Sequence, residues 1–392
     1  MECDRNTASD KKEEITMIEL KACIGILLLA GLLGRSKRDL RSLRRTSPLK
    51  PPIFKATIFD DKTTREKKKQ TDKFAAIREI CSDFQDNLKT CYIPGLNLTI
   101  DEQLLGFRGR CPFRQFISKK PDKYGLKFWL CVNVEAYFVL NAFPYIGRQP
   151  GQEKQKHVGE NVVLELLKPF YGSNRKVTMD NSFTSVPLAK NFQTKNLTLI
   201  GALRKNKSEM LMEFLSDKTR EVGSSLFGFD ANLTLVSFVP KKNKAVLLLS
   251  SKHHDNHVDK KTGKPIIVLD YNKTKGAVDT VDQMCHKYTV QSDGHFVFLW
   301  CDRYGGSECF YRMEGKKPEW NRNKRYQRRL FIEELGLSLV TPLLDFRSKT
   351  STFLHKDIQN ALAIVGHPVT KRNSQESNED PSQKKTKAVF NM

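Results

Sequence analysis

The chain has 392 residues, of which 39% are hydrophobic, and a formal net charge of +23. That is room for two or three domains with a sizeable core, and the cationic excess points to a polyanionic partner. The Lys and Arg residues are scattered along the whole chain and do not flank a lipid-binding helix, which favours nucleic acid over an acidic membrane surface.

The nine cysteines are widely spread and form no CxxC pair, which argues against a zinc ribbon or a disulfide framework and fits a reducing compartment. The apolar run Ala22 to Gly34 is about 13 residues long, short of the roughly 20 that span a bilayer. Acidic residues precede it and Arg35-Ser36-Lys37-Arg38 follow, the wrong charge order for a signal peptide, so no membrane partner is expected.

In chain order, residues 1–15 are polar and expected to be disordered, and Thr16 to Leu33 reads as a helix that is apolar nearly all round. Gly34 to Pro52 is basic and broken by Pro48, Pro51 and Pro52. Asp72 to Asn87 has helical spacing, with Phe74, Ile77, Ile80, Cys81 and Phe84 on one stripe. Strands are expected at Leu98–Leu104, Leu126–Val134 and Tyr137–Ile146, the last two joined by a tight turn at Glu135-Ala136.

A helix at Gly159–Phe170, a strand at Val177–Asp180, a helix at Ser185–Gln193 and a strand at Leu197–Leu203 follow. An antiparallel meander succeeded by alternating helices and strands predicts a mixed sheet flanked by helices. Residues 205–269 carry short β-like runs at Leu233–Val239 and Ala245–Leu249 and read as a β-rich insertion. Val278 to Tyr288 is helical again, a short helix is expected at Leu330–Leu335, and the polar C-terminal tail is expected to be disordered.

Acids stand out at three places. Asp101 follows Leu98-Thr99-Ile100, where alternation predicts a half-buried strand with Thr99 and Asp101 on its polar face. Val177-Thr178-Met179-Asp180 repeats the same apolar-Thr-apolar-Asp pattern, and Asp279 and Asp282 lie three apart on one helix face. Hard oxygen ligands of this kind suit Mg²⁺, and two such ions would activate water and stabilise the departing oxygen in phosphodiester cleavage. Spacing alone leaves open whether these acids meet. After Asp101 come Arg108, Arg110, Arg114, Lys119, Lys120, Lys123 and Lys127 among Phe107, Phe113, Phe116 and Tyr124, either a phosphate-binding arm or a solvated surface. Arg108 and Arg110 are the preferred phosphate contacts.

Several ordered motifs resemble the transposases of the piggyBac family. They are Asp101-Glu102-Gln103-Leu104, the arm from Phe107 to Lys127, Met179-Asp180-Asn181 with Phe183-Thr184-Ser185, Gly201 with Leu203-Arg204-Lys205-Asn206, and the continuous run from Asp270 to Met284. The similarity spans roughly residues 55–291 and returns at Arg329–Gly336.

The resemblance implies an α/β fold with an RNase H-like mixed sheet flanked by helices, interrupted by a β-rich insertion and preceded by a helical N-terminal region. It implies catalytic, metal-binding roles for Asp101, Asp180 and Asp279, with Asp282 as an additional acid, and Mg²⁺ or Mn²⁺ as cofactor. DNA would be the partner, cut at element ends and rejoined at a TTAA target, with Arg204 and Lys205 joining the basic arm as DNA contacts. A homodimer and a nuclear location go with it.

On this reading residues 16–95 are the remnant of a dimerisation and DNA-binding domain. The catalytic core occupies 96–205 and 270–310, the insertion 206–269, a basic helical region 311–371 and a tail 372–392.

Three departures bear on activity. A helix-rich segment of the family is missing between Thr57 and Ile58. The stretch from Ser292 to Cys309 does not match the family's basic motif and core helix. No cysteine follows Cys309, where the family carries a zinc module that reads element ends. Two readings therefore stand: a DNA transposase, or a non-enzymatic DNA-binding derivative of one. His253, His254 and His257 read as surface loop residues, and Lys324 to Arg329 and Lys384-Lys385-Thr386-Lys387 as nuclear-import or phosphate-contact runs, or solvated faces.

Overall fold

The computed structural model describes residues 17–32, 67–68, 70–148, 158–206, 212–215, 220–287, 316–324 and 326–350, with single positions at 359, 363 and 366. The expectations for 1–15, the basic stretch 34–52, the missing helix at Thr57–Ile58, the mismatch at 292–309 and the tail from 372 lie outside the described residues.

The elements in chain order begin with helices α1 (Met17–Leu32) and α2 (Ala75–Cys91). Strands β1 (Asn97–Gly106), β2 (Gln115–Phe116), β3 (Tyr124–Asn133) and β4 (Val139–Pro144) come next. Then follow α3 (Val158–Leu167), β5 (Lys176–Met179), α4 (Val186–Thr194) and β6 (Thr198–Ala202). Strands β7 (Ser225–Asp230), β8 (Leu233–Lys241) and β9 (Lys244–Ser250) lead to α5 (Ile266–Thr274), α6 (Ala277–Lys287) and α7 (Gln327–Thr350).

These strands make one mixed sheet in the order β2-β3-β1-β5-β6-β9-β8-β7, with β4 paired to β3 beyond β2. β1 runs antiparallel to β3 and parallel to β5, and β5 is parallel to β6. β9 then pairs antiparallel with β6, with Ile200 opposite Ser250 and Ala202 opposite Leu248, so the β-rich segment continues the sheet. Its first strand, β7, has no sequence counterpart among the expected runs, because Ser225–Asp230 is an edge strand with little buried surface of its own.

Helices cover the sheet. α6 packs on β1 and β3, α5 on β1, β6 and β9, α3 on β3 and β4, and α4 on β6. The alternation around Asp101 therefore does not mark a solvated face. Leu98 and Ile100 are fully buried on one side of β1, and Thr99 and Gln103 are equally buried on the other, beneath α5 and α6.

Two helices depart from the periodicity. Ile266-Ile267-Val268-Leu269 has the β-branched look of a strand, yet it forms the first turn of α5, with Ile267 and Val268 buried in a cluster with Ile200, Val236 and Leu248. α7 runs for 24 residues through Gly336 and Pro342, where a short helix was expected. It packs along α1, and Gly25 and Gly336 lie at the crossing: a Cβ on Gly25 would stand 2.8 Å from Val340 Cγ2. A partner helix thus holds together a stretch that its own breakers would interrupt.

Candidate active site

The repeated apolar-Thr-apolar-Asp pattern becomes a geometric device in the sheet. Parallel pairing of β1 and β5 sets Leu98 opposite Val177, Thr99 opposite Thr178 and Ile100 opposite Met179. One step further, Asp101 sits midway along β1 and Asp180 just past the end of β5. Where β5 stops, the sheet opens beside β1, the kind of crevice in which α/β folds bind ligands.

The buried threonines of the two patterns hold the third element. Thr99 Oγ1 donates to the Thr274 carbonyl at 2.8 Å, and the Thr178 and Thr274 hydroxyls are hydrogen-bonded at 2.7 Å. Thr274 ends α5, and Lys275-Gly276 turns the chain directly into α6, whose first turn carries Asp279. At the other side of α5, Asp270 is ion-paired to Lys176, the first residue of β5, with Lys252 at 3.4 Å and His253 at 3.5 Å. Burial alone would raise the Asp270 carboxyl, but its bonds to Lys176 and Lys252 outweigh this and hold it below the usual range.

Asp101, Asp180 and Asp279 line a single cleft of about 260 Å³, together with Thr99, Thr178, Tyr271, Lys275 and Gly276. Asp180 is fixed by an Asx turn, its Oδ1 accepting from the Ser182 amide at 2.7 Å. Thr184 Oγ1 donates to the Asp180 carbonyl at 2.8 Å and packs directly against Gly201, where any Cβ would collide with it. Asp101 accepts from the Glu102 amide at 2.8 Å.

The electrostatics of this cleft are unfavourable to its own charges. Burial, then the neighbouring charges of Glu102 and Asp180, pushes the Asp101 carboxyl up to about 7, against the opposing effects of the Glu102 amide bond and, less, of Lys120. Burial likewise raises Asp180, with Glu102 adding to the shift while the Ser182 bonds and Arg204 oppose it. Glu102 Oε2 is buried with no hydrogen-bond partner among the described residues.

Asp282 stands apart from this trio. It lies about 4.5 Å further along the helix axis than Asp279. Its carboxylate accepts from Gln103 Nε2 at 2.5 Å and is 3.6 Å from His286 Nε2, which is itself 3.6 Å from Asp122. It is not among the residues that line the cleft. Asp279 is solvent-exposed at the cleft mouth, and among the described residues no three His, Cys, Asp or Glu side chains converge closely enough to hold an ion as they stand.

Of the basic residues, Arg108, Arg110, Lys119 and Lys123 are exposed, and make no ion pair among the described residues. Arg114 is exposed too but is committed locally, donating to the Arg108 carbonyl at 2.9 Å and lying over the Tyr124 ring. Lys120 is half-buried, donates to the Glu102 carbonyl at 3.1 Å and lies close enough to Asp101 to oppose the rise of its carboxyl. Lys127 lies over the Trp129 ring. Arg204 bonds Asn181 and Ser182 at 3.3 Å beside Asp180, and Lys205 is exposed next to it.

His254 and His257 are exposed, whereas His253 is half-buried and bonded to Ser250 Oγ at 2.9 Å. Sequence reasoning missed Tyr271 and Lys275 as wall residues. Both lie in the Asp270–Met284 run, but their placement depends on α5, which periodicity did not reveal.

The fold, a mixed sheet flanked by helices, is that of an RNase H-like transposase domain. Residues 52–297 match the DDE_Tnp_1_7 family model, Transposase IS4, and the chain belongs to this piggyBac-type transposase family. It is 24% identical over 311 residues to human PiggyBac transposable element-derived protein 3, an alignment covering 71% of this chain and 51% of that protein. The human chimeric ERCC6-PGBD3 protein matches at 24% identity, covering 71% of this chain and 29% of its own length. The chain thus spans about half the length of the first of these relatives and less of the second. Among solved structures, a piggyBac transposase seen by cryo-EM in a synaptic complex with hairpin DNA superposes with a TM-score of 0.81 at 32% identity. That match covers 97% of this chain and 82% of the transposase.

Proposed function

We propose that this chain acts as a transposase that cleaves and joins DNA strands at element ends, using divalent metal held by Asp101, Asp180 and Asp279. The observation that carries this reading is the in-step placement of Asp101 and Asp180 on parallel strands, with Asp279 brought to the same cleft by the Thr99–Thr178–Thr274 cluster.

The residues present fit a hard divalent cation such as Mg²⁺ or Mn²⁺. The donors are carboxylates, two of them raised by burial and by the nearby Glu102 charge, and a Glu102 oxygen is orphaned among the described residues. A cation satisfies that unbalanced negative charge. When bound, it supplies activation of a water nucleophile and stabilisation of the departing 3′ oxygen.

The chain's own residues do the rest. Asp101 and Asp180 are anchored on the sheet and Asp279 closes from the helix side. Asp282 steadies α6 on β1 through Gln103. Lys120 and Arg204 flank the acids and face incoming phosphates, while Arg108, Arg110, Arg114, Lys119, Lys123, Lys127 and Lys205 hold the flanking duplex. DNA is the substrate, with a TTAA target, a homodimer as the working unit and the nucleus as its place. The catalytic core then comprises 96–205 and 270–310, with 206–269 as its β-rich extension.

The exposed position of Asp279 and the absence of a closed three-carboxylate group among the described residues favour a second reading. In it the chain binds DNA without cutting. The two separate in a cellular excision assay with a reporter flanked by the element's own ends, run beside Asp180→Asn. Excision abolished by the substitution supports the transposase. Equal excision by both proteins refutes the metal site, and none by either supports the DNA-binding derivative.

A further inference from the structure

The helical side of the cleft carries, besides Asp279, two residues that the aspartates do not account for. Tyr271 sits on α5 between two anchored neighbours. Asp270 is tied to Lys176 of β5, and Thr274 to Thr99 and Thr178. The helix therefore cannot rotate about its axis without breaking buried contacts at both ends of this turn, which fixes the direction of the Tyr271 side chain. Its ring is half-buried against the apolar cluster of Ile200, Ile267 and Val268, while the residue lines the cleft with Asp101, Asp180 and Asp279. The Lys275 ammonium lies 5.5 Å from the ring centroid, at the same rim.

A phenol held in a polar cleft ordinarily spends its hydroxyl on a nearby acceptor. Here the Tyr271 hydroxyl makes no hydrogen bond among the described residues, although it is within electrostatic reach of Asp180 and Asp101. Packing costs the chain side-chain freedom to hold a donor in place whose acceptor is not part of the chain.

We propose that Tyr271 is a substrate-contact residue: its hydroxyl donates to a non-bridging oxygen of the phosphodiester seated against Asp101 and Asp180, and Lys275 supplies the balancing positive charge at the rim. This rests on the reading of the cleft as a phosphodiester site and adds the residues of α5 and its turn that hold the phosphate. Burial, then the charges of Asp180 and Asp101, pushes the phenol up to about 12, so it remains a donor.

The test uses the full chain with the dinucleotide thymidylyl-(3′→5′)-thymidine as a minimal phosphodiester and Mn²⁺ as the metal. Dinucleotide affinity is followed by ³¹P NMR and Mn²⁺ affinity by electron paramagnetic resonance. Tyr271→Phe keeps the ring, its packing and the Lys275 contact, and removes one donor. The expected result is a loss of dinucleotide affinity of about 3- to 10-fold with Mn²⁺ affinity unchanged, the size of one hydrogen bond. Lys275→Met weakens the dinucleotide as well, whereas Lys273→Met, exposed outside the cleft, does not.

Unchanged dinucleotide affinity in Tyr271→Phe overturns the proposal. So does a parallel loss of Mn²⁺ affinity, which assigns Tyr271 to the frame of the site, or no dinucleotide binding by the parent chain. The metal reading is judged separately, by whether Asp180→Asn loses Mn²⁺, so each can fail without the other.

Discussion

Substituting Asp101 by Asn tests the electrostatics of the cleft without an activity assay. In the folded chain this carboxyl is raised from 3.8 to about 7, chiefly by burial. A raised acid stabilises the fold while protonated: its contribution is complete below the unfolded value and is lost as pH rises through the folded one. At 1.36 kcal/mol per unit, the full loss is about 4 kcal/mol. Linkage places about 3 kcal/mol of that between pH 5 and pH 8.

Without divalent metal, the parent chain should therefore lose several degrees of thermal stability over that interval, at ~2 °C per kcal/mol for a chain of this size. Asp101→Asn is isosteric and uncharged, so it should exceed the parent by about 1–2 kcal/mol at pH 5 and by about 4 kcal/mol at pH 8. Added Mg²⁺ or Mn²⁺ should restore the parent at pH 8 and leave the variant unchanged. Differential scanning fluorimetry at the two pH values, in EDTA and in metal, reads all four states. A parent whose stability is flat or rising from pH 5 to pH 8, or a variant destabilised equally at both, would refute the reasoning.

Three other expectations follow from the same geometry. Gly201→Ala places a Cβ against Thr184 Oγ1 and should cost about 1–3 kcal/mol in denaturant unfolding; Thr184→Ser in the same chain should recover part of it, since the colliding hydroxyl then has more rotamer freedom. Lys176→Met removes the buried partner of Asp270 and should destabilise by about 3 kcal/mol at neutral pH. Because Asp270 is held below its ordinary value, its favourable contribution is present above the unfolded pKa and disappears as pH falls through the folded one. The gap between Lys176→Met and parent should accordingly narrow in acid, as urea titrations at pH 7 and pH 3 would show. Arg108→Ala with Arg110→Ala should weaken duplex binding evenly across sequences and reduce the slope of log affinity against log salt by about 0.9 per lost phosphate contact. Fluorescence anisotropy at several salt concentrations checks this.

Much of the site is visible before any fold is known. The repeat of apolar-Thr-apolar-Asp at residues 98–101 and 177–180 becomes two strands in parallel register, because a period of two puts Thr and Asp on one face and pairing aligns equal patterns. The acidic residues and the basic arm are likewise identifiable by type and order.

What the chain by itself determined, then, is the inventory and the strands: a mixed sheet, four acids and a cationic surface. Tertiary structure decided which acids share a cleft. Asp279 and Asp282 occupy one helix face by spacing, yet the crossing of α6 over β1 sends Asp279 to the cleft and Asp282 to Gln103 and His286. It also made a helix of the strand-like Ile266-Ile267-Val268-Leu269 and carried α7 through Gly336 and Pro342. The physical reason is common to all three. Local preferences amount to tenths of a kcal/mol up to about 3 per residue, and burial against β1, β6, β9 or α1 outweighs them only once those partners are in place.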